Sequence, residues 1–242
     1  MAVGLDLILY FSLYSFAGWV LETMFASLEQ KKFVNRGFLN GCFCPIYGFG
    51  AVMIILLSKW ADPLFPDKAL YLAIYLLFIV FLVTVLEFVT GYLLEKIFHC
   101  KWWDYSNYPD NLCGYVSLRF SLLWGVLAFL LIKIVQPEVS ATAAWIPTEF
   151  KGYLVLVLAA YFLIDTTKTV IDTLDLREVV LNYANVPINH YRKIIYHNKR
   201  FFFAFPRLLI LNAGSINHDI RSILNERFNK IKLELKNRFQ SF

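Results

Sequence analysis

Long apolar stretches separated by short polar loops dominate this chain, and polar residues inside the stretches are few. Apolar runs near 5–28, 69–95, 114–135 and 150–171 are each long enough to cross a hydrocarbon core of about 30 Å at about 1.5 Å per residue. A fifth run, 45–61, is shorter and opens on Pro45, but its centre Ala51-Val52-Met53-Ile54-Ile55-Leu56-Leu57 also reads as a span. The pattern predicts an all-α polytopic membrane protein with five transmembrane helices. Near the C-terminus, Ile220, Ile223, Leu224, Phe228, Ile231, Leu235 and Phe239 recur at helical spacing among basic residues, which predicts an amphipathic helix over 217–239. The expected organisation is a transmembrane domain over 1–175 followed by a basic tail over 176–242.

Two segments nearly repeat each other: Gly18-Trp19-Val20-Leu21-Glu22 and Gly91-Tyr92-Leu93-Leu94-Glu95. Each glutamate lies in an apolar run and is followed 19 residues later by a glycine, Gly41 or Gly114. This predicts two parallel helical-hairpin repeats, about 5–61 and 69–135, with the fifth span over about 150–171. Tyr14, Gly18 and Glu22 fall at i, i+4 and i+8 on one helical face, and Glu87, Gly91 and Glu95 do the same in the second copy. Glu22 and Glu95 sit one to two turns from their helix ends, where a long side chain can snorkel. Glu87 is eight residues, or about 12 Å, deeper than Glu95, so it needs a partner, a proton or water.

Composition agrees with the pattern: 59% of residues are hydrophobic, 17% are charged and the mean hydropathy is +0.56, outside the range of soluble domains. Lysines and arginines concentrate in the 28–44 loop, the 96–113 loop and the tail, where 13 basic residues face 6 acidic ones from 168 onward. The asymmetry predicts an outside N-terminus and a cytoplasmic C-terminus. The basic tail suits the bilayer's anionic inner leaflet rather than nucleic acid. The first five residues lack a basic n-region, so no cleaved signal peptide is expected. Cys42, Cys44, Cys100 and Cys113 fall by the cytoplasmic loops, where thiols stay reduced, and their spacing matches no standard zinc pattern; no metal or cofactor is expected.

Candidate chemistry lies in the two loops and the embedded acids. Asn35 and Arg36 in the first loop, and Asp104, Tyr105, Ser106 and Asn111 in the second, combine hydrogen-bonding groups with turn formers, as loops that re-enter or cap a bundle do. Arg119 lies inside the start of the fourth span, where an unpaired guanidinium is costly, and Glu95, Glu22 and Glu87 are its expected partners. Asp165 and Lys168 read as an interfacial ion pair. The expected site is a polar, cytoplasm-facing cavity lined by Glu22, Glu87, Glu95, Arg119, Asn35, Arg36, Asp104, Tyr105, Ser106 and Asn111. The chain has no Gly-x-x-x-x-Gly-Lys-Ser/Thr loop and no hydrolase signature.

Taken together, Gly18-Trp19 with Glu22, Asn35-Arg36-Gly37-Phe38-Leu39, Cys44-Pro45-Ile46-Tyr47-Gly48, Leu86-Glu87, Thr90-Gly91, Leu94-Glu95, Trp103-Asp104-Tyr105-Ser106, Asn111 with Gly114, and Trp124-Gly125 resemble the CmpB-like family of ABC-transporter type IV permeases over roughly residues 10–130. The resemblance implies a bacterial inner-membrane permease working with an ATPase on a separate subunit. Three functions fit the residues: a transport protein with a polar cavity, a membrane-embedded enzyme acting on a lipid-linked or amphipathic substrate at the inner leaflet, and a membrane sensor or scaffold.

Overall fold

Gly and Pro positions divide the apolar runs into helices much as the hydropathy pattern does. The computed structural model describes residues 2–61, 68–181, 199–205 and 209–210. Its helices are α1 (Ala2–Gln30), α2 (Pro45–Ala61), α3 (Lys68–Phe98), α4 (Leu118–Leu130), α5 (Gln136–Ala144), α6 (Thr148–Leu181) and α7 (Lys199–Ala204). Two short antiparallel ladders decorate the loops: β1 (Cys100–Lys101) with β4 (Leu209–Ile210), and β2 (Asn111–Leu112) with β3 (Val116–Ser117). The expected helix over 217–239 lies outside the described residues.

Among the described residues, four helical stretches are long and apolar enough to cross a membrane: Gly4–Gln30, Ala73–Phe98, Leu118–Ala144 and Thr148–Asp175. Their outer surfaces are apolar, with Leu77, Leu156 and Leu163 each about 70% exposed, as lipid contact requires. Among the described residues the second expected span appears as the shorter apolar stretch Pro45–Ser58 of α2. Packing sets where it starts. The Cys44 N–H donates to the Ser15 carbonyl at 2.9 Å, so α2 starts level with the middle of α1. From Ser15, α1 runs on to Gln30, about 22 Å further at ~1.5 Å per residue. The 31–44 loop folds back along that stretch instead of lying beyond it.

α2 occupies the centre of the bundle. It packs on α1 and α5 through Tyr10, Tyr14, Ala51, Ile55 and Ala143, and on α3 and α4 through Ile54, Tyr75, Ile79 and Ala128. α6 covers the other side of α1, where Phe162 meets Phe11 at 5.2 Å and Lys151 pairs with Asp6 at 2.6 Å. Lys31 (φ 52°) and His99 (φ 55°) follow α1 and α3 in the left-handed conformation that stops a helix and turns the chain. Between α4 and α5, a π-helical turn over Leu131–Val135 precedes Pro137, whose ring crowds the carbonyl four residues back. Beyond that turn, Gln136 Oε1 accepts a 2.6 Å bond from the Tyr14 hydroxyl.

Close approach of α1 and α2 depends on Gly18 and Gly48: a Cβ at Gly18 would strike the Tyr47 ring, and one at Gly48 would strike Ser15 and Phe11. Gly18→Val should therefore lower the melting temperature in detergent, by the roughly 1–3 kcal/mol typical of overpacking. Gly152→Ala, whose added Cβ meets nothing within 4 Å, should leave it unchanged or slightly raised. Equal melting of the two variants would contradict this packing.

Candidate functional site

The first loop is threaded onto α1 by side chains spaced about one turn apart along that helix. The Trp19 indole donates to Asn35 Oδ1 at 2.7 Å, Thr23 Oγ1 accepts from the Arg36 N–H at 3.4 Å, and Ser27 Oγ accepts from the Val34 N–H at 3.0 Å. This threading brings Arg36 Nε to 3.3 Å from Glu22 Oε2. The other Glu22 oxygen accepts a 2.6 Å bond from the Tyr47 hydroxyl, which reaches it past Gly18. Glu22 does not snorkel; both its oxygens have partners within the bundle.

The second loop folds back along α3 in the same manner. Trp103 and Tyr115 close over Gly91, each 3.1 Å from where a Cβ would stand, and the Trp103 indole donates to the Tyr115 carbonyl at 2.8 Å. Tyr105, stacked on Phe120 at 4.8 Å, donates its hydroxyl to Glu87 Oε1 at 3.1 Å. Glu87 is 7% exposed, and its Oε2 is buried with no hydrogen-bond partner. Tyr47 meets Trp124 at 5.4 Å across the hairpin interface, and the charges of Glu22 and Arg36 act on Tyr105. Glu22, Arg36, Tyr47, Glu87 and Tyr105 thus form one polar centre between the α1–α2 and α3–α4 hairpins.

The remaining expected site residues lie elsewhere. Lys101 Nζ sits 3.8 Å from Glu95 and 3.9 Å from Asp104, and its charge lies over the Tyr115 ring. Asp104 Oδ1 accepts from the Ser106 N–H and hydroxyl, and Asn111 Oδ1 accepts from the Gly114 N–H at 3.0 Å. These groups build the loop around Gly114 (φ 74°), where a Cβ would strike Asp104 and Ser106. Asn35 likewise serves its own loop, donating to the Asn40 carbonyl. Arg119 does not pair with any of the three glutamates. Its side chain is 68% exposed and its Nε lies 3.7 Å from Asp110 Oδ1. Asp110 also accepts from the Ser117 hydroxyl and the Arg119 N–H at 3.0 Å each, so it caps α4 and draws the arginine outward. The Arg119 N–H is the main reason its carboxyl is held below the usual range.

Sequence reasoning missed the clamp on the first loop. Arg200 in α7 donates to three successive carbonyls, Gly37, Phe38 and Leu39, at 2.8 Å each. Burial lowers its pKa to about 10, with Asp165 and Asp172 opposing that shift. From α6, Asp165 accepts from the Gly41 N–H at 3.0 Å and Thr169 Oγ1 accepts from the Asn40 N–H at 3.0 Å. The expected Asp165–Lys168 ion pair is not formed; Asp165 is buried against the loop while Lys168 is exposed. A shallow groove of about 370 Å³ on α6, lined by Leu163, Thr167, Lys168 and Asp172 among others, lies away from the polar centre. At that centre Glu22 is bonded to Tyr47 and Arg36, and Glu87 to Tyr105. The aromatic side chains Phe38, Phe98, Trp102 and Phe201 then join both loops to α7. In the sequence this contact corresponds to Lys199-Arg200-Phe201-Phe202-Phe203, basic residues followed by aromatic ones in the tail.

Long apolar helices around an internal polar centre, with two folded-back loops, define a multi-pass helical membrane protein. Residues 9–170 match the family described as "Putative ABC-transporter type IV", the CmpB family. That stretch is more than half of the chain, and the chain belongs to this family. It extends beyond the expected 10–130 through most of α6, the helix that anchors Gly41 and Asn40. No curated protein and no solved structure shows a significant match to the chain.

Two tests follow. Arg200→Ala should destabilise strongly, since each carbonyl left unbonded in a buried setting costs ~1–3 kcal/mol, and Arg200→Lys should rescue little because one ammonium lacks the planar fork. Full stability of Arg200→Lys in a detergent melt would count against the clamp. Arg119→Leu should stay within about ±0.5 kcal/mol of wild type, as exposed substitutions usually do, whereas Asp110→Ala removes the α4 cap and should cost roughly 1 kcal/mol.

Proposed function

We propose that this protein is the permease-like membrane component of a transporter and that Glu22, Arg36, Tyr47, Glu87 and Tyr105 form its transport site. The observation that carries this reading is the buried, unpartnered Oε2 of Glu87 beside a second carboxylate, at the interface between two hairpins. A carboxylate embedded this deep with an unbonded oxygen is costly in a bundle built only for stability. In this reading the folded-back loops are the gates, the arrangement described above is the closed one, and the expected polar cavity opens when the loops withdraw. Glu95, Lys101 and Asp104 form a second charged group nearer the loop mouth.

Several features support two related halves. Gly18 and Gly91, Glu22 and Glu95, and Gly41 and Gly114 are each 73 positions apart, as are Pro45 and Leu118, the first residues of α2 and α4. In both halves the glycine admits an aromatic ring and the glutamate faces a basic residue of the following loop. With α2 as the shorter fifth span, this gives a bacterial inner-membrane protein with its N-terminus outside and its loops and basic tail in the cytoplasm, the tail resting on anionic lipid. The loop face with α7 is then the docking surface for a separate ATPase subunit. An inner-leaflet enzyme fits less well, because Asp104, Ser106 and Asn111 are already engaged inside their own loop.

Purification of the tagged full chain from its native membrane should bring down an ATP-binding-cassette subunit whose hydrolysis depends on this protein in nanodiscs. Glu22→Gln should reduce that hydrolysis about tenfold or more, the ~1.4 kcal/mol scale of one charge-assisted hydrogen bond, and Glu87→Gln, which cannot ionise, should reduce it as well. Wild-type hydrolysis in both variants would remove the site's role. Absence of any such subunit would remove the proposed coupling to ATP.

A further inference from the structure

The environment of Glu87 is more specific than that of an ordinary buried carboxyl. It lies on α3 eleven residues before Phe98, roughly 16 Å into the helix at ~1.5 Å per residue. The second loop offers one donor, the Tyr105 hydroxyl, to Oε1, and nothing described bonds to Oε2. From α1 faces Glu22, whose negative charge repels a second one at Glu87. Arg36 of the first loop is engaged with Glu22 at 3.3 Å, and Tyr47 of α2 donates to Glu22 and not to Glu87. On α4, Phe120 stacks on Tyr105 and Trp124 meets Tyr47, and on α3 itself Glu95 lies two turns away beside Lys101. No cation among the described residues pairs with Glu87.

An ionised carboxylate with one neutral donor, beside another carboxylate and in apolar surroundings, is far costlier than its neutral form. A neutral carboxyl fits these contacts: Tyr105 donates to the carbonyl oxygen Oε1, and the proton resides on Oε2. Loss of that proton leaves a charge that the closed interface cannot neutralise, so it favours an arrangement that admits water or a cation. We propose that Glu87 is a reversible proton site and that the closed arrangement is its protonated form, with proton release loosening Tyr105 and the second loop from α3. This rests on the reading of the polar centre as the transport site and names the proton as a ligand that controls its gate. The sign follows from linkage: a proton bound more tightly in the closed form stabilises closure at low pH, and that stabilisation is lost as pH rises.

The test uses the full-length protein in nanodiscs and dicyclohexylcarbodiimide, an apolar reagent that attacks protonated carboxyls in apolar surroundings, with peptide mass spectrometry across pH 6 to 9. Wild type should form an adduct at Glu87 whose yield falls as pH rises, while Glu22, held by Arg36, stays unmodified. Tyr105→Phe removes the one described donor to Glu87, so its labelling should persist to higher pH than in wild type. Hydrogen exchange over 103–115 gives a second readout. Above the labelling midpoint, wild type should exchange faster there than the permanently neutral Glu87→Gln variant at the same pH, and below the midpoint the two should agree. No adduct at any pH, a pH-independent adduct, or identical loop exchange in wild type and Glu87→Gln throughout would overturn the proposal. Neither readout needs an ATPase or a cargo, so failure here and failure of the transport reading give different results.

Discussion

A loop that folds back into a helical bundle carries peptide groups that no helix or sheet ladder satisfies, and in apolar surroundings each such group is expensive to leave unbonded. The two loops of this protein meet that constraint with side chains. In the first, Arg200 takes three successive carbonyls, Asp165 takes the Gly41 N–H, and Thr23, Ser27 and Thr169 take others. In the second, Asp104, Asn111 and Asp110 bond to N–H groups of their own loop or of the α4 start. The polar centre exists because these bonds hold the loops inside the bundle. Without them Arg36 would not reach Glu22, nor Tyr105 reach Glu87.

The same constraint sets where α2 starts. The first loop already fills the space beside the later part of α1, so α2 begins level with Ser15. Glycines at 18 and 91 provide the room, one for Tyr47 and the other for Trp103 and Tyr115. The two hairpins nevertheless differ chemically. Glu22 is paired with an arginine and accepts from a tyrosine, whereas Glu87 accepts from a tyrosine alone and keeps one oxygen without a partner. Tyr14, one helical turn before Gly18 as Glu87 is before Gly91, instead bonds Gln136 and ties α1 to α5.

Much of the architecture was legible in the chain itself. A hydropathy run reports a span because the bilayer imposes a length, and the four long helices fall close to the expected runs. The depth of Glu87 was legible too, since helical rise fixes its distance from the end of α3. What the sequence determined was therefore local: which segments are helical, which face the lipid, and which acids are embedded. Charge pairing depended on the tertiary structure. Arg119 pairs with Asp110, nine residues before it, and not with Glu95, 24 residues before it, because the loop brings the Asp110 carboxylate to the first turn of α4. Asp165 leaves Lys168 for Gly41, 124 residues away. Arg200 reaches back more than 160 positions to hold the first loop. Hydropathy and periodicity describe a residue against its sequence neighbours, while a buried charge or bare peptide group takes whichever partner the packed helices bring within about 3 Å.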